Sequence, residues 1–310
     1  MNTSTMNIPT RANPILVTGL GRSGTTWAGK MISSSGFVNY VGEVFNTKAT
    51  IRGYDAPLFT QPLAYYTTQS SNPPVAIIQE ILSNNGELNI RNHPRRTRFL
   101  KMVHQVTGAF PARVMLKDPS AVLSAEWMAQ HFNMDVVALV RHPAGVASSF
   151  AKLGWPVYFD QFFLDQPALI ADWLHPFEAQ LRNPPEDYID QVALLWACVN
   201  HVLLGYADRN PGWQLWRHED LAADPLNGFT QIFAALDVPF TDQIRATVQA
   251  HSAAENPVDV PTGENKAFFH QRNSKDLVKR WKTKLTPAQI DRIRTITEPI
   301  ASRLYGDEDW

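Results

Sequence analysis

The chain has 310 residues, with 28 Lys and Arg against 29 Asp and Glu and a formal net charge of −1, so no global basic field gathers nucleic acid. Its 44% hydrophobic and 18% charged content excludes fibrous and disordered classes. The single cysteine, Cys198, lies in the apolar run Val192–Val199; it can form neither an internal disulfide nor a Cys-rich metal site, and a reducing, cytoplasmic setting is expected.

Residues 1–13 read as a flexible polar tail without the apolar core of a signal peptide, and 14–310 as one domain. Ile15–Thr18 reads as a buried strand, Gly19–Gly24 as a Gly-rich turn, and Thr26–Ser35 as a helix ended by Gly36. Phe37–Val41 suits a second strand. Residues 44–112 are rich in Pro, Asn, Gln, Tyr and Thr and weakly periodic. They read as loops and short helices forming an acceptor-side insertion. Val114–Leu116 is a short strand and Ala121–Gln130 a helix. Val136–Val140 is a continuous apolar run, as a central parallel strand requires, and Ala144–Leu153 is helical. Residues 154–185, with Trp155, Tyr158, Phe159, Phe162, Phe163 and Trp173, are a second candidate acceptor-side insertion. Ile189–Tyr206 has apolar residues at helical spacing. Asn200 and His201 interrupt that run, and no stretch reaches the ~18 apolar residues of a membrane helix. Gln214–Trp216 is a further strand, Phe229–Leu236 and Ile244–Ala250 are helices, 253–273 is a polar loop, and Thr286–Leu304 is a C-terminal helix. The alternation predicts an α/β fold: a central parallel sheet with helices on both faces.

The segment Gly19-Leu20-Gly21-Arg22-Ser23-Gly24-Thr25-Thr26-Trp27 follows a strand and opens a helix. Backbone N–H groups and the positive helix end then face an anion. Gly19, Gly21 and Gly24 match the dinucleotide fingerprint G-x-G-x-x-G, and Glu43 stands near the expected acidic position about 20 residues on. An NAD(P)-dependent oxidoreductase is therefore one reading. The nucleotide P-loop is matched by Gly19, Gly24 and Thr26, but Thr25 occupies its lysine position, and Val140 is followed by Arg141 where a Walker-B aspartate would stand. The third reading is a P-loop-like cradle for a 5′-phosphosulfate, with Arg22, Ser23, Gly24, Thr25, Thr26 and Trp27 around the anion.

A second motif favours the third reading. The strand Val136–Val140 runs into Arg141-His142-Pro143, and Ser149 follows on the next helix. A charged fork at a strand end and a hydroxyl eight residues later suit a second, separate phosphate. Hydride transfer needs no such clamp. With both motifs, the chain resembles the family of sulfotransferases that use 3′-phosphoadenosine 5′-phosphosulfate (PAPS), especially its bacterial, carbohydrate and tyrosyl-protein branches, which carry arginine in the loop. Glu219-Asp220-Leu221 resembles a family segment, with Glu219 or Asp220 expected to cap the next helix. Arg272, Ser274 and Arg280 resemble the C-terminal segment that closes over the nucleotide, although the Arg-Lys-Gly pattern of cytosolic members is absent.

The resemblance implies PAPS as sulfuryl donor, no metal, and a carbohydrate, lipid-linked, peptide or small-molecule acceptor hydroxyl or amine. It gives Arg22 the charge on the leaving oxygen and Lys117, after the strand Val114–Leu116, the transferred group. Glu43 is the candidate base, with Asp118 and His104 as alternatives. The competing reading of Lys117 is a surface residue paired with Asp118.

Overall fold

The computed structural model describes residues 13–48, 57–83, 113–252 and 278–310. His104, Arg272 and Ser274 lie outside the described residues, as do residues 1–12 of the expected tail and the whole of the expected polar loop 253–273.

Strands β1 (Ile15–Thr18), β2 (Val38–Val41), β3 (Arg113–Lys117), β4 (Asp135–Val140) and β5 (Gln214–Arg217) form one sheet in the order β2-β3-β1-β4-β5. Every pairing is parallel. The sequence dictates burial of both faces: side chains alternate along a strand, and both sets here are apolar. Ile15, Val17, Val38, Met115, Val137 and Leu139 pack on one side, against helices that include α1 (Thr25–Ser33). Leu16, Val41, Val114, Leu116, Val136, Ala138 and Val140 pack on the other. There they meet α2 (Val75–Ser83), α3 (Ala125–Phe132), α4 (Pro143–Leu153) and α5 (Tyr188–Arg209). The first face is closed by α6 (His218–Ala223), α7 (Pro225–Ala235) and α8 (Asp242–Ser252), the second by the C-terminal α9 (Pro287–Ala301).

Three local expectations change. The predicted helix Ala121–Gln130 divides into a 3-10 turn, Pro119–Ser124, and α3, because the Asp118 side chain accepts the Ser120 N–H and caps the turn. Asn200 does not interrupt α5: it is buried and donates its amide to the Trp196 carbonyl one turn back. That helix is long and apolar enough to cross a membrane, yet most of it is buried inside the protein. Glu219 and Asp220 cap nothing. Glu219 is buried and accepts the His142 N–H and the Tyr305 hydroxyl, and Asp224 caps α7 by accepting from Asn227. Residues 154–185, the second candidate acceptor-side insertion, pack on the core. They fold into short helical turns, including π-helical Asp160–Leu164 and Ile170–Leu174, with Phe163, Leu169 and Leu174 fully buried. Gln166 ties this segment to the first insertion by accepting from Tyr65 N and donating to the Leu63 carbonyl.

Candidate functional site

In a parallel sheet all strand C-termini open on one edge, and ligands bind there where the strand order changes direction. Here β1 is central, β3 lies to one side and β4 to the other. The chain leaving β1 therefore enters the crevice between the two halves.

The loop after β1 is shaped by two glycines. Gly19 has φ +139, and a Cβ there would sit 2.1 Å from the Leu139 carbonyl oxygen of β4. Gly24 has φ +95, and its Cβ would meet His218 Nδ1 at 2.5 Å. Neither position tolerates a side chain. Gly21 differs: a Cβ would make only ordinary contact with Trp155, at 3.5 Å. The middle glycine of the dinucleotide fingerprint, which must allow close approach of a pyrophosphate, is thus not demanded. The strand order also opposes that reading. In the dinucleotide fold β2 adjoins β1, whereas here β3 lies between them, and Glu43 at the end of β2 belongs to a different neighbourhood. The oxidoreductase alternative loses both supports.

The loop suits an anion by its own donors. Gly24 begins α1 without any side-chain cap, so the first-turn N–H groups face the crevice with the positive helix end behind them. Ser23 Oγ and Trp27 Nε1 are buried and have no hydrogen-bond partner among the described residues. Two orphaned donors beside an uncapped helix start fit a phosphate-bearing group. Thr25 is buried and Thr26 exposed at the same turn.

Arg22 stands at φ +74, an unusual conformation for a side-chain-bearing residue. Its Nε donates to Ser149 Oγ at 2.9 Å, and its guanidinium carbon lies 5.7 Å from the Trp155 ring centroid. Arg141 donates back to the Arg22 carbonyl at 3.2 Å. The two sequence motifs, more than a hundred residues apart, thus meet in one cluster, and Arg22 lies directly against Ser149 and Arg141. Arg280 sits on the 3-10 turn Arg280–Thr283. The next residue, Trp281, stacks on His142 with ring centroids 4.7 Å apart and approaches Gly145 beside Arg141.

A second cluster occupies the ends of β2 and β3. Lys117 is buried and its Nζ is 2.5 Å from Glu43 Oε1, while Asn46 donates to Glu43 Oε2 at 2.7 Å. Burial pushes the Glu43 carboxyl up, but the Lys117 charge and the bonds from Lys117 and Asn46 outweigh it and hold the carboxyl below its ordinary range. For Lys117, burial lowers the ammonium's pKa, and Tyr40, Glu43 and Asp118 more than restore it. The pair is therefore ionic. Lys117 is not the surface partner of Asp118 that the competing reading supposed. Asp118 is fully buried, with Oδ2 accepting the Phe45 N–H at 2.6 Å and Oδ1 the Ser120 N–H at 2.9 Å. Burial pushes its carboxyl up to about 7. Such an enclosed, backbone-engaged group has no path to an acceptor, which leaves Glu43 the better-placed carboxylate.

The two clusters are stitched together at the strand ends. Thr18, just before the Gly-rich loop, donates its hydroxyl to the Asp118 carbonyl at 2.8 Å, and the Asp118 N–H reaches the Val17 carbonyl. Sequence reasoning missed Tyr40, Asn46 and the Arg22 contact of Trp155. Tyr40 and Asn46 each stand three residues from Glu43, a local signal, whereas the contact with Trp155 depends on a fold that no spacing reveals.

Residues 14–192 match the sequence profile described as Sulfotransferase family. No curated protein matches the chain by sequence. Among solved structures, a sulfotransferase domain from the curacin biosynthetic pathway is 18% identical with a TM-score of 0.48, covering 95% of this chain and 98% of that one. The sulfotransferase domain of the Synechococcus PCC 7002 olefin synthase is 16% identical with a TM-score of 0.45, covering 94% and 97%. A mouse sulfotransferase complexed with PAP is 12% identical with a TM-score of 0.44, covering 96% and 86%.

Proposed function

This chain belongs to the sulfotransferase family, for which PAPS-dependent sulfuryl transfer is the implied activity, and from that premise we propose how its own residues carry the reaction. The donor nucleotide lies over the β1–β4 crevice. The uncapped start of α1 with Ser23, Gly24, Thr25, Thr26 and Trp27 holds its 5′ end, and Arg141 and Ser149 hold its separate 3′-phosphate. Arg280, next to Trp281 on the turn beside that clamp, reinforces it, together with Arg272 and Ser274.

The acceptor hydroxyl attacks sulfur in line. A sulfur–oxygen bond to the acceptor forms as the bond to the 5′-phosphate oxygen breaks. The electron pair stays on that phosphate oxygen, and adenosine 3′,5′-bisphosphate leaves. Glu43 takes the proton of the attacking hydroxyl. Arg22 and the α1 amides stabilise charge on the leaving oxygen, and Lys117 stabilises the transferred group. The acceptor approaches from the side of the two joined insertions, and its class is a carbohydrate, lipid-linked, peptide or small-molecule hydroxyl or amine.

The observation that carries this reading is the meeting of Arg22 with Ser149 and Arg141. It gathers a loop arginine, a strand-end arginine and a helix hydroxyl at one point, as a donor with two phosphate positions needs. Transfer of labelled sulfate from PAPS across a panel of these acceptors tests it. Product label with release of adenosine 3′,5′-bisphosphate supports the proposal. Retention of the chain on immobilised NAD and not on immobilised adenosine 3′,5′-bisphosphate would overturn it.

A further inference from the structure

We infer that Tyr40 is a positioning residue of the transfer site, its hydroxyl sharing the Lys117 ammonium with Glu43 and so keeping the lysine from closing wholly onto the base. The inference rests on the roles proposed above for Lys117 and Glu43.

The sheet register sets up the contact. Tyr40 pairs with Met115, and Val41 with Leu116. Residues at one level of a parallel pair face the same way, and residues two apart on a strand share a face. Tyr40, Met115 and Lys117 therefore all point toward α1, with Tyr40 and Lys117 as diagonal neighbours, within reach of long side chains. The helix above leaves room for them. Its residue at that level is Gly29, where a Cβ would sit 3.0 Å from Lys117 Cγ and 3.1 Å from Tyr40 Cε2. The lysine stem and the phenol ring thus lie side by side beneath a glycine, and the lysine side chain is only 5% exposed.

So confined, the ammonium has few directions. It donates one proton to Glu43 Oε1, and the Tyr40 phenol, held beside the lysine stem beneath Gly29, is the polar group we place at a second. An ammonium has three donors. Two so engaged at the floor of the site direct the third. The phenol oxygen is the neutral member of this trio. It competes with Glu43 for the lysine without adding charge, so the carboxylate retains capacity to accept the acceptor's proton.

Tyr40→Phe removes one oxygen and keeps the buried ring. With the phenol gone, Lys117 gives its charge more fully to Glu43. The expected result is a fall in kcat of about tenfold, the scale of one hydrogen bond to a charged group, with unchanged affinity for adenosine 3′,5′-bisphosphate. The acidic limb of kcat/KM should move to lower pH, and the Glu43 carboxyl, followed by carbon-13 NMR, should titrate lower by the same shift. A merely structural tyrosine would move neither titration. Gly29→Ala is a second probe: it crowds the same two side chains and should lower kcat without loss of bisphosphate affinity. Wild-type kcat and an unmoved Glu43 titration in Tyr40→Phe, while Lys117→Ala is slow, would sink the inference and leave the assignment of Lys117 standing. Wild-type turnover in Lys117→Ala would overturn that assignment and the inference with it.

Discussion

The two halves of the crevice are built from different materials. Over β1 and β4 the groups are backbone amides, glycines, hydroxyls and two arginines, none of which changes charge between pH 4 and 10. Over β2 and β3 they are a lysine and a glutamate in an ion pair, with a tyrosine packed beside the lysine. The first half presents an anionic donor with a protein charge that is constant over a wide pH range. The second can move a proton. Under the proposed function, donor binding and leaving-group stabilisation fall on the β1–β4 side and proton transfer on the β2–β3 side, and the two should respond separately to mutation and to pH.

The sharpest test of that division is Glu43→Gln, which keeps size and polarity and cannot take a proton. It should lower kcat by roughly 10²–10⁴, the range of general-base contributions, with little change in donor affinity. The carboxyl is held below its ordinary range, so it is ionised and competent at neutral pH, and wild-type kcat/KM should fall only as acid protonates it. The variant should lack that acidic limb. A pH–rate profile of the variant that superimposes on the wild type would move the base elsewhere, with His104→Ala the next variant to measure.

Arg22→Ala probes the boundary between the halves. Loss of one electrostatic donor at the leaving oxygen costs roughly 10²–10³ in rate. Because Arg22 also touches Ser149, the variant should weaken adenosine 3′,5′-bisphosphate binding slightly, and much less than it slows turnover. Equal losses in the two measurements would make Arg22 a binding residue only.

Arg141→Ala should act within the binding half alone. Wild type should prefer PAPS to adenosine 5′-phosphosulfate, which lacks the 3′-phosphate. The variant should lose about 1.5–3 kcal/mol of that preference, read as the ratio of the two donors' kcat/KM. If both donors weaken equally, Arg141 supports the fold and holds no phosphate.

The smallest effect is expected behind the clamp. His142 stacks on Trp281, and neither ring nitrogen has a partner among the described residues. Burial pushes its imidazole down to about 3. A folded-state value below that of the unfolded chain means that stability is present above about pH 6.5 and is lost as pH falls toward 3. His218, against Gly24, is also driven to about 3 by burial and adds to the same loss. His142→Phe keeps the stacked ring and removes the titration. It should be near neutral in melting temperature at pH 7.5 and gain on wild type as pH falls. A melting curve that tracks wild type down to pH 4.5 would remove His142 from the acid response.

Much of the binding half was legible in the sequence because its signals are local. A strand, Gly19, Gly24, a loop arginine and two hydroxyls fall within twelve residues, and strand-Arg141…Ser149 within fourteen. Each motif is fixed by the conformation of its own backbone. The pairing of Lys117 with Glu43 was not legible, since the two are 74 residues apart. Two readings of Lys117, one beside Asp118 and one at the transferred group, fitted the sequence equally. Asp118 looked like a possible base until its burial and its bond to the Phe45 N–H showed it pinned to the backbone.

What the sequence determined by itself was five strands, most of the helices between them, and a Gly-rich turn whose donors must face an anion. Hydrophobic period and backbone sterics act over a few residues and need no partner to be read. The tertiary structure alone decided that β3 separates β1 from β2. That single choice takes Glu43 away from a ribose and places it with Lys117. Sheet order is set by how long, irregular connections close and which faces bury best, a global balance that no local pattern encodes.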